Sequence, residues 1–217
     1  MSKLIYRYGA MNSGKSIDVL KVAHNYEERN NKVLLFKPGK DTKAGDKVSS
    51  RIGIERKVDH IITESNSILR MVKEGTINLD KVSCIITDEC QFFTPSQIDE
   101  LLYISKAMDI PVICYGLRTD FKTNGFPGAI RLMELADIIE EIPTICECGK
   151  KAKFNARIVN GKYTLEGNQV AIDGVNKITY MSLCPECYLK KVLKIKLSKK
   201  VIYDDTIKKV TKLGEKA

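Results

Sequence analysis

No stretch of these 217 residues approaches the roughly 20 consecutive apolar residues of a membrane-spanning helix, so a helical membrane protein is not expected. No secretory leader is expected either. Met1-Ser2-Lys3-Leu4 leads straight into strand-like sequence, and the expected compartment is the cytoplasm. Histidine is scarce: His24 and His60 stand alone on polar positions and receive no role. Arginine is missing from the basic end of the chain. From Lys190 to Ala217 there are ten lysines against Asp204, Asp205 and Glu215, with Tyr203 the single aromatic. The overall excess of 36 Lys+Arg over 27 Asp+Glu therefore sits mostly in that last segment. Lysines without arginine or interleaved aromatics suit a solvated extension, residues 193–217, better than a nucleic-acid arm. No nucleic-acid partner and no membrane partner are expected. In a reducing compartment the seven cysteines are metal ligands or buried thiols before they are disulfides.

What is present begins at Gly9-Ala10-Met11-Asn12-Ser13-Gly14-Lys15-Ser16, which fits the phosphate-cradling pattern Gly-x-x-x-x-Gly-Lys-Ser/Thr. Glycines let the backbone curl so that its N–H groups face phosphate oxygens. Lys15 brings a positive charge to the outer phosphates, and the Ser16 hydroxyl reaches Mg²⁺. The context agrees, because Lys3 to Tyr8 reads as a strand and Ile17 to Arg29 as a helix whose positive dipole end faces the loop. A nucleoside triphosphate is the expected ligand.

Buried strands and helices then alternate, as in a parallel sheet built of βαβ units. Lys32–Lys37, Val58–Thr63, Ile110–Tyr115 and Ala136–Ile142 read as strands; Ser65–Lys73 (with Ser65 as N-cap), Pro95–Met108 and Ala129–Leu135 read as helices. Residues 40–51 read as a long exposed loop, in which Asp41 and Arg51 could reach a phosphate. The strand from Val82 ends in Asp88-Glu89. Asp88 would hold Mg²⁺, directly or through water, and Glu89 would stand one step nearer the reacting atom. In an open α/β sheet ligands lie beyond the carboxyl ends of strands, so the loops after Tyr8, Thr87 and Tyr115 should line one crevice. Phe92, Phe93, Phe121 and Phe126 cluster on those loops, which suits a planar, stackable acceptor such as a nucleobase.

At Pro143 the character changes. Cys146-Glu147-Cys148 and Cys184-Pro185-Glu186-Cys187 flank strand-like sequence from Ala152 to Val159 and from Tyr163 to Ile172, with a turn at Asn160-Gly161. Two close thiol pairs around a hairpin form a zinc-ribbon pattern, and four thiolates select a structural Zn²⁺. Cys84, Cys90 and Cys114 read as buried thiols. The expected architecture is α/β: a RecA-like P-loop domain, a parallel sheet flanked by helices, over residues 1–142. A small zinc-ribbon and lasso domain follows over 143–192.

Taken together, Gly-x-Met-x-Ser-Gly-Lys-Ser at 9–16, Asp-Glu-x-Gln-Phe-Phe at 88–93, Leu117 with Phe121, Phe126 and Gly128, and four cysteines ending in Cys187-Tyr188 make this sequence resemble the type II, cellular-type thymidine kinases over residues 3–192. The resemblance implies ATP-dependent transfer of a phosphoryl group to the 5′-hydroxyl of thymidine, with deoxyuridine as a second substrate. It implies Glu89 as catalytic base, and Gly9 to Ser16 with Asp88 and Gln91 on the ATP side. Phe92 would stack on the base, with Met11, Leu117, Phe121 and Phe126 around it. A lasso over about 169–180 would read the base through its backbone at Val170 and Ile172, with Tyr180 near the sugar. Asn155 stands where a small polar residue, commonly Thr, adjoins the methyl pocket. Lys43 and Cys90 depart from an arginine and a glycine frequent in the family. A homotetramer inhibited by thymidine triphosphate is also implied. The competing reading is a nucleic-acid-stimulated ATPase carrying the same P-loop and a zinc ribbon.

Overall fold

Six short runs rich in Val, Ile and Leu pair side by side in one parallel sheet in the computed structural model, which describes residues 1–40, 45–169 and 178–196. The expectations placed on Asp41, Lys43, Val170, Ile172 and the basic tail lie outside the described residues. Contacts divide the chain into two compact units. The first holds residues 1–9, 14–118 and 126–142; the second holds 10–13, 119–125 and the chain from Pro143 onward.

In the first unit, β1 (Leu4–Tyr8), β2 (Lys32–Pro38), β5 (His60–Ile62), β6 (Val82–Thr87), β7 (Val112–Gly116) and β8 (Ile138–Glu141) form the sheet in the order β5-β2-β6-β7-β1-β8. Every pairing in it is parallel. Alternate residues of each strand share a face. Val33 and Leu35, Cys84 and Ile86, and Ile113 and Tyr115 form one buried layer with Val19, Leu20 and Ala23 of helix α1 (Lys15–Glu27). Helix α3 (Pro95–Ala107) buries Ile98, Leu101 and Ile104 and contacts β1 and β7. Thr94 and Gln97 close its N-terminus as a reciprocal capping box. Helix α4 is Pro127–Leu135.

Three local expectations in the first unit need correction. Helix α1 starts at Lys15 rather than Ile17, because Gly14 adopts the left-handed conformation (φ 84°) and serves as N-cap. Helix α2 (Ile68–Lys73) is capped by Ser67, whose hydroxyl accepts from the Arg70 amide at 3.1 Å; Ser65 instead meets the Thr63 hydroxyl. The 40–51 stretch is not all loop: β3 (Lys47–Ser49) pairs antiparallel with β4 (Glu55–Lys57) and buries Val48.

The second unit is antiparallel. β9 (Thr144–Ile145) pairs with β10 (Lys151–Ala152). β11 (Phe154–Val159) lies between β12 (Lys162–Thr164) and β13 (Ile178–Leu183), and α5 (Pro185–Lys191) follows. Asn160 (φ 49°) and Gly161 (φ 79°) make the β11–β12 turn, the pair of left-handed residues that a tight hairpin favours. The strand expected from Tyr163 stops at Thr164, where Glu166, Gly167 (φ 98°) and Asn168 break the alternation. Cys146, Ala152, Ala156, Leu183, Cys184, Tyr188 and Val192 form this unit's core. No helix among the described residues is long and apolar enough to cross a membrane.

Candidate active site

Strands β6, β7 and β1 are consecutive in the sheet, so Asp88, Leu117 and Gly9 leave its carboxyl edge side by side. The Gly9 amide donates to the Gly116 carbonyl at 3.2 Å, fixing where the phosphate loop departs. Left-handed Asn12 (φ 64°) and Gly14 (φ 84°) curl that loop. Lys15 is nearly buried and its ammonium donates to the Gly9 carbonyl at 3.2 Å, so the charge is folded back along the loop. The Ser16 hydroxyl donates to Asp88 Oδ2 at 3.3 Å. A hydroxyl and a carboxylate converging at the first turn of a helix are hard oxygen donors of the kind Mg²⁺ takes alongside phosphate oxygens.

Glu89 follows in a left-handed conformation (φ 49°, ψ 38°) that a glutamate adopts only at a cost on the order of 1–2 kcal/mol. Such strain persists where neighbours over-determine it, and the neighbours are evident. The Glu89 amide donates to Asp88 Oδ1 at 3.0 Å, and the Gln91 amide nitrogen donates to Glu89 Oε2. The Gln91 carbonyl oxygen accepts from the Leu117 amide at 2.9 Å, so this buried glutamine ties the carboxylate to the end of β7. Gln91, expected among the phosphate ligands, thus has its amide engaged with Glu89 and Leu117. Nothing in the sequence marks that role or the positive φ of Glu89.

The Cys90 thiol is fully buried, facing Gly116 so closely that a Cβ there would come within 2.7 Å. Burial pushes its pKa well up, and it stands as a neutral packing group beside the acids. Cys84 and Cys114 are buried as expected, each pushed up to about 12 by desolvation. Phe92 is half-buried and meets Phe126 edge-on, with ring centroids 5.5 Å apart. Leu117 and Phe126 are buried. Gly128, in the first turn of α4, lies directly on the 90–93 turn. A Cβ there would stand 2.5 Å from the Phe93 carbonyl and 2.9 Å from that of Cys90. Backbone cannot yield as a side-chain end can. Gly128→Ala is expected to lower stability by about 1–3 kcal/mol in a denaturant melt and to reduce activity further by shifting Glu89.

The second unit contributes a separate group. The Met11 amide donates to Asn155 Oδ1 at 2.7 Å, and Asn155 Nδ2 donates to the Thr119 carbonyl at 3.0 Å. Phe121 is buried under Arg157, whose guanidinium carbon lies 3.6 Å from the ring centroid. Arg157 also donates to Tyr180 Oη at 3.0 Å and to the Gln169 carbonyl at 3.3 Å, so it holds residues on both sides of 170–177. The Tyr188 hydroxyl donates to the Phe121 carbonyl at 2.6 Å. Arg157 and Ser182 escaped the sequence reading. Only the cross-strand register of β11 and β13 brings them beside Tyr180 and Asn155.

The four thiols Cys146, Cys148, Cys184 and Cys187 have sulfurs all within 4.8 Å of one another, and Cys148 and Cys184 are 3.5 Å apart. A tetrahedron with zinc–sulfur bonds of about 2.3 Å has edges of about 3.8 Å, so the set fits Zn²⁺. The short Cys146-x-Cys148 spacer is accommodated by a turn. Gly149 (φ 82°) donates to the Cys146 carbonyl at 2.8 Å, and the Cys146 amide donates to the Lys150 carbonyl at the same distance. Cys184 caps α5 and accepts from the Cys187 amide at 3.4 Å. The Lys150 amide helps draw the Cys148 thiol down to about 7, while Cys187, hydrogen-bonded to Cys148, is pushed up to about 12. Zn²⁺ takes its cysteine ligands as thiolates, so its binding to this set would release protons.

A family model described as thymidine kinase matches residues 2–188. A thymidine kinase of Francisella tularensis subsp. holarctica is 43% identical over 189 residues, covering 85% of this chain and 95% of that protein. Thymidine kinases of Chromobacterium violaceum and Enterococcus faecalis are 41% and 42% identical, each over 190 residues and 87% of this chain. They cover 98% and 95% of those proteins. A match of that extent takes in the phosphate loop, the Asp88-Glu89 turn and the four cysteines together, and the chain belongs to the thymidine kinase family.

Proposed function

We propose that this protein phosphorylates the 5′-hydroxyl of thymidine with ATP, a nucleotide-salvage step, and accepts deoxyuridine as a second substrate. The observation that carries the chemistry is Glu89, held by Gln91 beside Asp88 at the edge from which the phosphate loop departs. Phosphoryl transfer asks little covalent work of a protein; positioning and charge do most of it. The Gly9–Ser16 loop holds the ATP phosphates through the Lys15 ammonium and backbone amides other than those of Gly9 and Met11, which bond Gly116 and Asn155. Ser16 and Asp88 would hold Mg²⁺, which would supply positive charge against that of the phosphates. Glu89 accepts the proton of the attacking hydroxyl.

By the resemblance, Phe92 would stack on the base, and Met11, Leu117, Phe121, Phe126 and Asn155 are the residues assigned to its surroundings. Tyr180 serves the sugar, and Val170 and Ile172, outside the described residues, read the base through their backbone. Zn²⁺ on the four cysteines is structural and takes no part in the reaction. The assembly we expect is a cytoplasmic homotetramer inhibited by thymidine triphosphate. Both features are carried over from the resemblance. A panel of nucleosides offered with ATP and Mg²⁺ tests the acceptor: thymidine and deoxyuridine should be phosphorylated, and deoxycytidine and purine nucleosides should not. Equal rates across the panel would contradict a base-reading site.

A further inference from the structure

Asn155 and Ser182 are directly opposed in the antiparallel register of β11 and β13, so their side chains emerge on one face as a cross-strand pair. Both are buried, at 3% and 6% exposure. They close on the same residue, and it belongs to the phosphate loop. Asn155 Oδ1 accepts from the Met11 amide at 2.7 Å, and the Ser182 hydroxyl donates to the Met11 carbonyl. The partners also settle the orientation of the Asn155 amide. Met11 offers it only an N–H and Thr119 only a carbonyl, which Nδ2 meets at 3.0 Å. Thr144 adds a bond from its hydroxyl to the Asn12 carbonyl at 3.3 Å.

We propose that Asn155 and Ser182 are positioning residues for the phosphate-binding loop, gripping Met11 by both backbone polar groups so that the loop is preformed when ATP arrives. A glycine-flanked loop free to choose its conformation loses backbone entropy on binding. One held at its tip has lost that freedom on folding. The grip also assigns the donors. The Met11 N–H is spent on Asn155, so the amides from Asn12 to Ser16 carry the phosphate contacts. Ser182 lies two residues before the zinc ligand Cys184, so the strand that carries the grip is anchored at its far end by the thiol cluster. The proposal rests on the reading of Gly9 to Ser16 as the ATP cradle.

The test is calorimetric binding of Mg-ATP without nucleoside, together with steady-state kinetics. The proteins compared are the unaltered enzyme, Ser182→Ala, Ser182→Thr, Asn155→Ala and Lys15→Ala. Ser182→Ala and Asn155→Ala should each weaken Mg-ATP binding about tenfold and raise the KM for ATP more than they lower kcat. Ser182→Thr, which keeps the hydroxyl, should restore binding to within about threefold of the unaltered enzyme. Zinc content and melting temperature, measured on the same samples, should stay level, separating a lost grip from a damaged fold. Unchanged ATP affinity in both alanine variants, with binding abolished in Lys15→Ala, would overturn the grip while leaving the cradle intact. A rise confined to the KM for thymidine would overturn it as well. Full ATP affinity in Lys15→Ala would remove the cradle assignment, and the proposal with it.

Discussion

Glu89→Gln is expected to lower turnover about 10²–10⁴-fold while thymidine affinity and the melting temperature stay near those of the unaltered enzyme. The substitution keeps the shape of the side chain and its reach. Its carbonyl oxygen can still accept the Gln91 amide that now bonds Glu89, so the turn after β6 should hold its strained geometry. What it removes is the capacity to take a proton. The loss should therefore fall on kcat rather than on nucleoside binding. Glu89→Asp separates position from basicity: it keeps the base but withdraws it by one methylene, and a misplacement of about 1 Å can cost on the order of 10²-fold. Turnover within a few-fold of normal in Glu89→Gln would take Glu89 out of the mechanism and leave the Asp88 turn as a metal-binding corner.

The second large effect concerns zinc. Mass spectrometry under native conditions should find one zinc per chain, lost on chelation and in Cys187→Ala. Two of the four thiols, Cys146 and Cys184, are themselves members of the second unit's small buried core, with Ala152, Ala156, Leu183, Tyr188 and Val192. So few apolar side chains stabilise little by themselves. The ion pairs of Lys150 and Lys190 with Glu186 lie at the surface, where such pairs contribute little. A structural zinc contributes on the order of 10–16 kcal/mol in small zinc-finger peptides at neutral pH. Without it the strands from β11 to β13 should lose protection from hydrogen exchange, while the parallel sheet retains its own. Release should become easier as pH falls, because protons compete for the thiolates. A chain that carries no zinc yet keeps those strands protected would reduce the four thiols to ordinary packing.

How much of this was legible in the chain depends on how local the cause was. The phosphate loop, the apolar strands and the two cysteine pairs are written in short contiguous stretches, and the sheet, the buried Cys84, Cys90 and Cys114 and the thiol cluster are where such patterns lead. The cap of α2 illustrates the limit. Ser65 and Ser67 are equally good caps by composition, and the choice of Ser67 is coupled to Glu100 of α3, which accepts its hydroxyl at 2.7 Å. β3 was missed because a three-residue edge strand with one apolar residue, Val48, has no visible alternation. Gln91 reads as a polar residue near phosphates until the Leu117 amide and the Glu89 carboxylate are seen on either side of it. The grip on Met11 depends on a pairing of residues 27 apart in sequence. Long-range register is what sequence motifs carry least.

On the proposed function, Glu89 and the phosphate loop serve one transfer between ATP and a nucleoside. Incubating the purified protein with γ-labelled ATP, Mg²⁺ and thymidine, with and without DNA, and separating the products tests it most directly. The label should move to thymidine monophosphate, at a rate indifferent to DNA. Label released only as free phosphate, faster when DNA is added and with no nucleoside monophosphate formed, would contradict it.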